Sequence, residues 1–238
     1  MAAAVRQRIT TTVTGAAVQT TISWTFTSTP VAGSTLILAF VGGGNSYSPT
    51  TPAGWTVRTS NQVATCNLWL FDKVAAGTES TVTLTVTGGG PMLGWLYEVT
   101  GLTGTADASG NASATSTTTT ACGPTGATTA ANEWVLAFSG SDTAAGSAAR
   151  ALTSFTALAL GIDVQSNTGT TGSYNCAGAA GFGAPGNASG ATLNSTATWN
   201  ASADDTAIIA GYKVAPVASA KPFMLYPSRV PVLTAATR

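Results

Sequence analysis

The sequence predicts an all-β protein: one two-sheet antiparallel β-sandwich over residues 1–215, followed by an extended C-terminal arm over 216–238. Three observations carry that expectation. Apolar residues recur with a period of two, other runs are apolar on both faces, and clusters rich in Gly, Pro, Asn and Ser separate the runs. No segment shows a helical period with caps.

The elements follow in chain order. In residues 18–27, Val18, Ile22, Trp24 and Phe26 share one face, and Gln19, Thr21, Ser23 and Thr25 share the other. Residues 80–87 alternate in the same way, with Val82, Leu84 and Val86 opposite Thr81, Thr83, Thr85 and Thr87. Such strands have one wet face, and β-branched Thr and Val suit a pleated sheet. Residues 34–41, 67–71, 93–97, 133–139 and 207–212 are apolar on both faces and read as central strands. Turn clusters lie at 42–46, 49–54, 88–91 and 183–187. The Thr/Ser/Ala/Gly-rich stretch 103–129 reads as a crossover with a strand-like piece at 113–120. The expected core includes Trp24, Phe26, Leu36, Leu38, Phe40, Leu84, Trp134, Leu136, Phe138 and Ile208.

A faint internal echo runs through the chain. Residues 33–42 resemble 132–140, both carrying Leu-Ala-Phe. Residues 81–87 and 94–99 resemble 191–199 and 209–214. Each strand set alone leaves open sheet edges, so a shared sandwich is expected rather than two separate domains.

Composition narrows the function classes. Only 8% of the 238 residues are charged, against about 25% in an ordinary domain. Nine basic and nine acidic residues give a net charge of zero. With no basic stripe to neutralise phosphates, nucleic acid is excluded as a partner. No apolar run is long enough to span a bilayer as a helix, so a membrane partner is not expected. The N-terminus has no apolar stretch after its arginines and does not read as a secretory signal. A neutral hydroxyl and amide surface lacks the self-repulsion that keeps proteins apart, and suits a subunit packed among neighbours.

The search for chemistry returns little. There is no histidine, so Ser-His-Asp, Cys-His and Cys/His metal arrangements are ruled out. Cys66, Cys122 and Cys176 read as buried thiols, with a Cys66–Cys176 bridge left open. Asp72, Glu98 and Glu133, in or beside apolar strands, are the best-placed carboxylates for a glycosidase-type pair. Asp204 and Asp205 follow a turn composition and read as a solvated turn before a calcium site. The expectation is no catalytic residue, no metal, no cofactor and no enzyme activity. Trp55 follows Pro52-Ala-Gly at a loop–strand junction, where it either caps the sandwich or stacks on a sugar. In the second case Trp55, Tyr47 and Asn45 would be the glycan contacts of a carbohydrate-binding module or adhesin.

The arm carries prolines together with Phe223, Met224, Leu225, Tyr226 and Val230. Free tails are normally poor in such residues. Prolines favour an extended backbone, so these five read as partner-binding anchors on another chain, with packing on the arm's own domain as the alternative.

Residues 31–40, the Pro-Ala-Gly-Trp corner at 52–55, residues 68–77, the Thr hairpin strand 81–87 and the ending Ala197-Thr-Trp199 with 208–214 together resemble a family. It is a group of jelly-roll-like β-sandwich virion proteins of tailed bacteriophages, notably of actinobacteria, usually minor tail or head decoration proteins. The resemblance covers about residues 18–215. It implies a jelly-roll-like sandwich, other virion proteins (major capsid or tail subunits) as partners, a homo-oligomeric or lattice-bound state, and assembly into virions in the host cytoplasm. Its motifs bear on fold, and it supplies no catalytic residues.

Overall fold

The computed structural model describes residues 2–13, 19–43, 47–63, 66–88, 90–143, 150–156, 161–162, 166–167 and 175–216. Among the described residues there is no helix. The first half carries β1 (Ala4–Val13), β2 (Thr21–Thr25), β3 (Thr35–Gly43), β4 (Ser48–Thr50), β5 (Thr56–Val63), β6 (Cys66–Val74), β7 (Thr81–Thr87) and β8 (Met92–Thr100). The second carries β9 (Ala108–Ala121), β10 (Trp134–Thr143), β11 (Leu152–Thr156), β12 (Gly161–Ile162), β13 (Ser166–Asn167), β14 (Asn175–Gly183) and β15 (Thr196–Tyr212). The strand-like piece in the crossover is therefore the longer β9.

All pairings between strands are antiparallel. The first half makes a five-stranded sheet in the order β1-β8-β3-β6-β5 and a three-stranded sheet in the order β2-β7-β4. The second half makes one sheet, β11-β15-β10-β14-β12, with β9 also on β15 and β13 on β14. The expected sandwich of packed antiparallel sheets is present, and it is deeper than two sheets.

Patterning explains the depth. Strands β2 and β7 bury every second residue and face water with the others. Strands β3 and β8 are buried on both faces, so their sheet needs a cover on each side. Leu36, Leu38 and Phe40 of β3 pack with Trp24, Val82 and Leu84 under the three-stranded sheet. Ile37, Ala39 and Val41 turn the other way, onto Trp134, Leu136, Phe138 and Ile208 of the second half. A third core holds Val135, Ala137, Ala179, Ile209, Phe155 and Trp199, all from the second half. Every residue of the expected core list is buried.

The internal echo is architectural. In the first half β1 pairs β8, β2 pairs β7, β3 pairs both β6 and β8, β4 pairs β7, and β5 pairs β6. The second half repeats this scheme with two long strands, β9 and β15, each in place of a pair. The N-terminal part of β9 pairs the C-terminal part of β15, and the C-terminal part of β9 pairs the N-terminal part of β15. Strand β10 pairs β14 and β15, β11 pairs β15, and β12 and β13 pair β14. Thus β9 does the work of β1 and β2, and β15 that of β7 and β8. Among the described residues the two halves share no sheet. The five-stranded sheet of the first half stacks on the sheet of the second because β3 and β10 are each apolar on both faces.

Where β9 and β15 pass from one layer to the other, their register shifts between Thr198 and Asp205. Ser116 adopts a left-handed backbone at this corner (φ 52°), and its N–H donates to Asp204 at 2.9 Å. The sheet curls far enough for the Trp199 indole N–H to donate to Ser139 of β10 at 3.2 Å.

Candidate interaction surface

The carboxylates singled out from sequence act as internal pins. Glu98 accepts from Arg6 at 2.6 Å, Gln7 at 2.5 Å, the Val31 N–H at 2.7 Å and Ser34 at 3.1 Å. Burial pushes its carboxyl up, but these donors outweigh burial and hold it below its ordinary value. Asp72 accepts from Arg58 at 2.6 Å and from the Ala106 N–H at 2.9 Å. There burial prevails, and the carboxyl is lifted despite Ala106, Arg58 and Tyr212. Glu98, Asp72 and Glu133 thus have different partners, and none of the three is bonded to another. Glu133 instead lies against Asp107, which no sequence pattern singles out.

Asp204 and Asp205 brace the β9–β15 corner. Asp205 is fully buried and meets Arg150 at 2.6 Å. The Arg150 guanidinium lies 5.0 Å over the Trp199 ring. Burial lifts Asp205 to about 6 against the pull of Ser141, Arg150 and Thr120. Among the described residues no group of three or more His, Cys, Asp or Glu is placed to hold a metal ion. Cys66, Cys122 and Cys176 are buried and in no disulfide, so the Cys66–Cys176 bridge is not formed.

The halves also share an ion pair of reversed sign. In the first half, Glu98 of the last strand meets Arg6 of the first. At the corresponding end of the second half, Lys213 follows β15 and Asp107 precedes β9, with their charges 2.8 Å apart. Each pair ties the closing strand to the opening strand.

The proposed glycan contacts are placed differently from a sugar platform. Trp55 is 9% exposed and Tyr47 4%, and both pack into the core under the three-stranded sheet. The Trp55 N–H donates to Pro52 O at 3.0 Å, closing a turn in which Gly54 is left-handed (φ 77°). This is the capping arrangement, which withdraws the ring faces from a ligand. Asn45 lies outside the described residues.

Two features remain on the outside. The outer face of the three-stranded sheet is an array of exposed hydroxyls: Thr21, Ser23 and Thr25 on β2, Thr81, Thr83, Thr85 and Thr87 on β7, and Ser48 and Thr50 on β4. Ser23 and Thr83 are hydrogen-bonded to one another at 2.8 Å. No charged residue lies on these strands. The second feature is a shallow hollow of about 210 Å³ at the end of the molecule, lined by Val31, Ala32, Gly33, Ser34, Thr100 and Gly101. Val31 is 46% exposed and Val74 47%. Val214 and Ala215 lie beside this hollow: the Ala215 N–H donates to Gly101 O at 2.7 Å, and Val214 bridges Leu102. Phe223, Met224, Leu225, Tyr226 and Val230 lie outside the described residues.

The molecule is thus an all-β protein of stacked antiparallel sheets. No family model matches the chain, and no curated protein or solved structure is similar to it at a significant level.

Proposed function

We propose that this chain is a non-enzymatic structural subunit of a bacteriophage virion, a head decoration or tail-associated protein that binds the assembled particle. The observation that carries this reading is how the polar chemistry is spent. Three of the buried carboxylates are locked into ion pairs that pin strands and corners, while the three-stranded sheet presents an uncharged hydroxyl face. Such a surface favours packing against other subunits over steering a charged ligand. We also read each half as jelly-roll-like, because the nested pairing of β1 with β8, β2 with β7 and β3 with β6 is that of a long antiparallel hairpin rolled into two layers. The carbohydrate-binding alternative lacks its aromatic platform, since Tyr47 and Trp55 are buried.

The arm completes the proposal. Ala215, just before residues 216–238, bonds to Gly101 at the end that carries the exposed Val31 and Val74. Burying Phe223, Leu225 and Tyr226 on a neighbouring chain contributes about 1.5–3 kcal/mol each before ordering costs. On a lattice, body and arm hold together with the gain of multivalency. The test is a chain truncated after Pro216, bound to purified particles. The expected result is a folded protein that no longer decorates them. Unchanged affinity refutes attachment through the arm, and failure to fold assigns the arm to its own core.

A further inference from the structure

Two carboxyl groups from separate segments meet at one end of the second half. Asp107 immediately precedes β9, and Glu133 immediately precedes β10. The end of β15 passes between them, and Gly211 there has no Cβ to collide with the Glu133 Oε2 that fills the space.

The donors at this place go to Asp107. The Thr129 N–H reaches Oδ2 at 2.6 Å, the Thr129 hydroxyl reaches Oδ1 at 2.7 Å, and the Lys213 Nζ reaches Oδ1 at 2.8 Å. Glu133 is fully buried, and neither of its carboxyl oxygens receives a well-formed hydrogen bond. Its Oε2 sits over Gly211, whose carbonyl accepts the Asp107 N–H at 2.8 Å, and this sets the two carboxyl groups side by side. Two ionised carboxylates in that position repel, whereas an acid and a carboxylate share a strong hydrogen bond. The charged groups that face Glu133 are Asp107 from the crossover and Lys213 from beyond β15. The loop before β15 contributes neutral Asn187, which accepts the Glu133 N–H at 2.8 Å, and Leu193. With a proton on Glu133 the cluster is neutral; without it, an uncompensated negative charge is buried.

We propose that Glu133 and Asp107 share a proton and form a clasp that, when the proton leaves, loosens the end of β15 and the residues that follow it to Ala215. The bonds beside the pair are those that hold that end: Asp107 N–H to Gly211 O at 2.8 Å, Thr103 N–H to Lys213 O at 2.9 Å and Ala215 N–H to Gly101 O at 2.7 Å. Burial first, then Asp107, lifts Glu133 to about 7, against the Ala130 N–H and Lys213. Burial pushes Asp107 up as well, but its bonds to Glu133, Lys213 and Thr129 outweigh burial and hold it below its ordinary value. For a raised acid the stabilisation is fully present below the open-state value of 4.5 and is lost as pH rises through about 7. The opening constant therefore climbs up to about ten-fold per pH unit within that window and levels off above it. The clasp is independent of what the C-terminal segment binds.

The test is amide hydrogen exchange of the full chain between pH 5 and 8, corrected for intrinsic rates, with a carbon NMR titration of the Glu133 carboxyl. Residues 101–107 and 211–215 are expected to lose protection as pH rises to about 7, with a Glu133 midpoint near the same value. In Glu133→Gln the side-chain amide donates to Asp107 at every pH, and protection is expected to stay flat. A Glu133 midpoint in the ordinary carboxylate range overturns the clasp. So does a loss of protection that is unchanged in Glu133→Gln. If that variant does not fold, the midpoint in the unsubstituted chain decides.

Discussion

The stacking of the two halves makes a graded prediction about three glycines. Gly140 of β10 and Gly178 of β14 are register partners in the second-half sheet. They lie where that sheet approaches the first half. A Cβ added at Gly178 would sit 2.6 Å from Trp95 Cη2 and 2.8 Å from Leu93 Cδ1, both on β8. Carbon atoms pack at about 3.5–4.0 Å, so the indole must retreat by about 1 Å. It has little room, because Trp95 is buried with its ring centroid 5.9 Å from that of Phe138. Overpacking of this kind costs about 1–3 kcal/mol. Replacing a strand glycine returns about 0.5–1 kcal/mol of backbone entropy. Gly178→Ala should therefore lose about 1–2 kcal/mol, a fall in Tm of about 2–8 °C for a domain of this size. Gly140→Ala should lose less, since its Cβ meets Val41 at 3.0 Å and Cys66 at 3.1 Å. Gly126→Ala meets nothing within 4 Å and should fall within about 0.5 kcal/mol of the parent. Calorimetric melts of the three variants give the ranking. If Gly178→Ala melts with Gly126→Ala, the halves do not press together through this surface.

Arg150→Ala strands the buried Asp205 carboxylate and should cost about 3–5 kcal/mol at pH 7 by denaturant titration. The loss should shrink as pH falls through about 6, where Asp205, lifted by burial, takes up a proton; a pH-independent loss contradicts this account. Glu98→Gln leaves Arg6 and other donors at the β1–β8 junction without their full acceptor, at about 1–3 kcal/mol. Because the Glu98 carboxyl is held below its ordinary value, its contribution is present above the ordinary carboxylate range and is lost as pH falls through the lowered value. The difference in Tm between parent and Glu98→Gln should accordingly close on acidification.

Strand identity was legible because alternation and two-sided apolar runs are local properties. Residues 80–87 could only be a half-wet strand, and 34–41 only a covered one. The candidate site was less legible. Trp55 and Tyr47 carry the same side chains whether they cap a core or stack on a sugar, and only the tertiary fold buries them. Asp107 and Glu133 stand 26 residues apart in a chain with no motif around them. Their contact exists because β9 and β10 both pair β15.

The internal repeat shows the division most sharply. By itself the sequence determined that two similar strand sets exist, from Leu-Ala-Phe at 38–40 and again at 136–138. It aligned them in a register the structure does not use. Leu38 and Phe40 face the three-stranded sheet, whereas Leu136 and Phe138 face the opposite half. Ile37, Ala39 and Val41 are the residues that correspond in space to Trp134, Leu136 and Phe138. The left-handed turn residues Gly33 (φ 85°) and Asn132 (φ 55°) precede the two strands, and one residue fewer separates the second from its Leu-Ala-Phe. Side chains alternate with a period of two, so a shift of one residue exchanges the faces of the whole strand. Both faces of β3 and β10 are apolar, so sequence could not say which face would meet its own half and which the other. That was decided by the turn that launches each strand and by the sheets available to cover it.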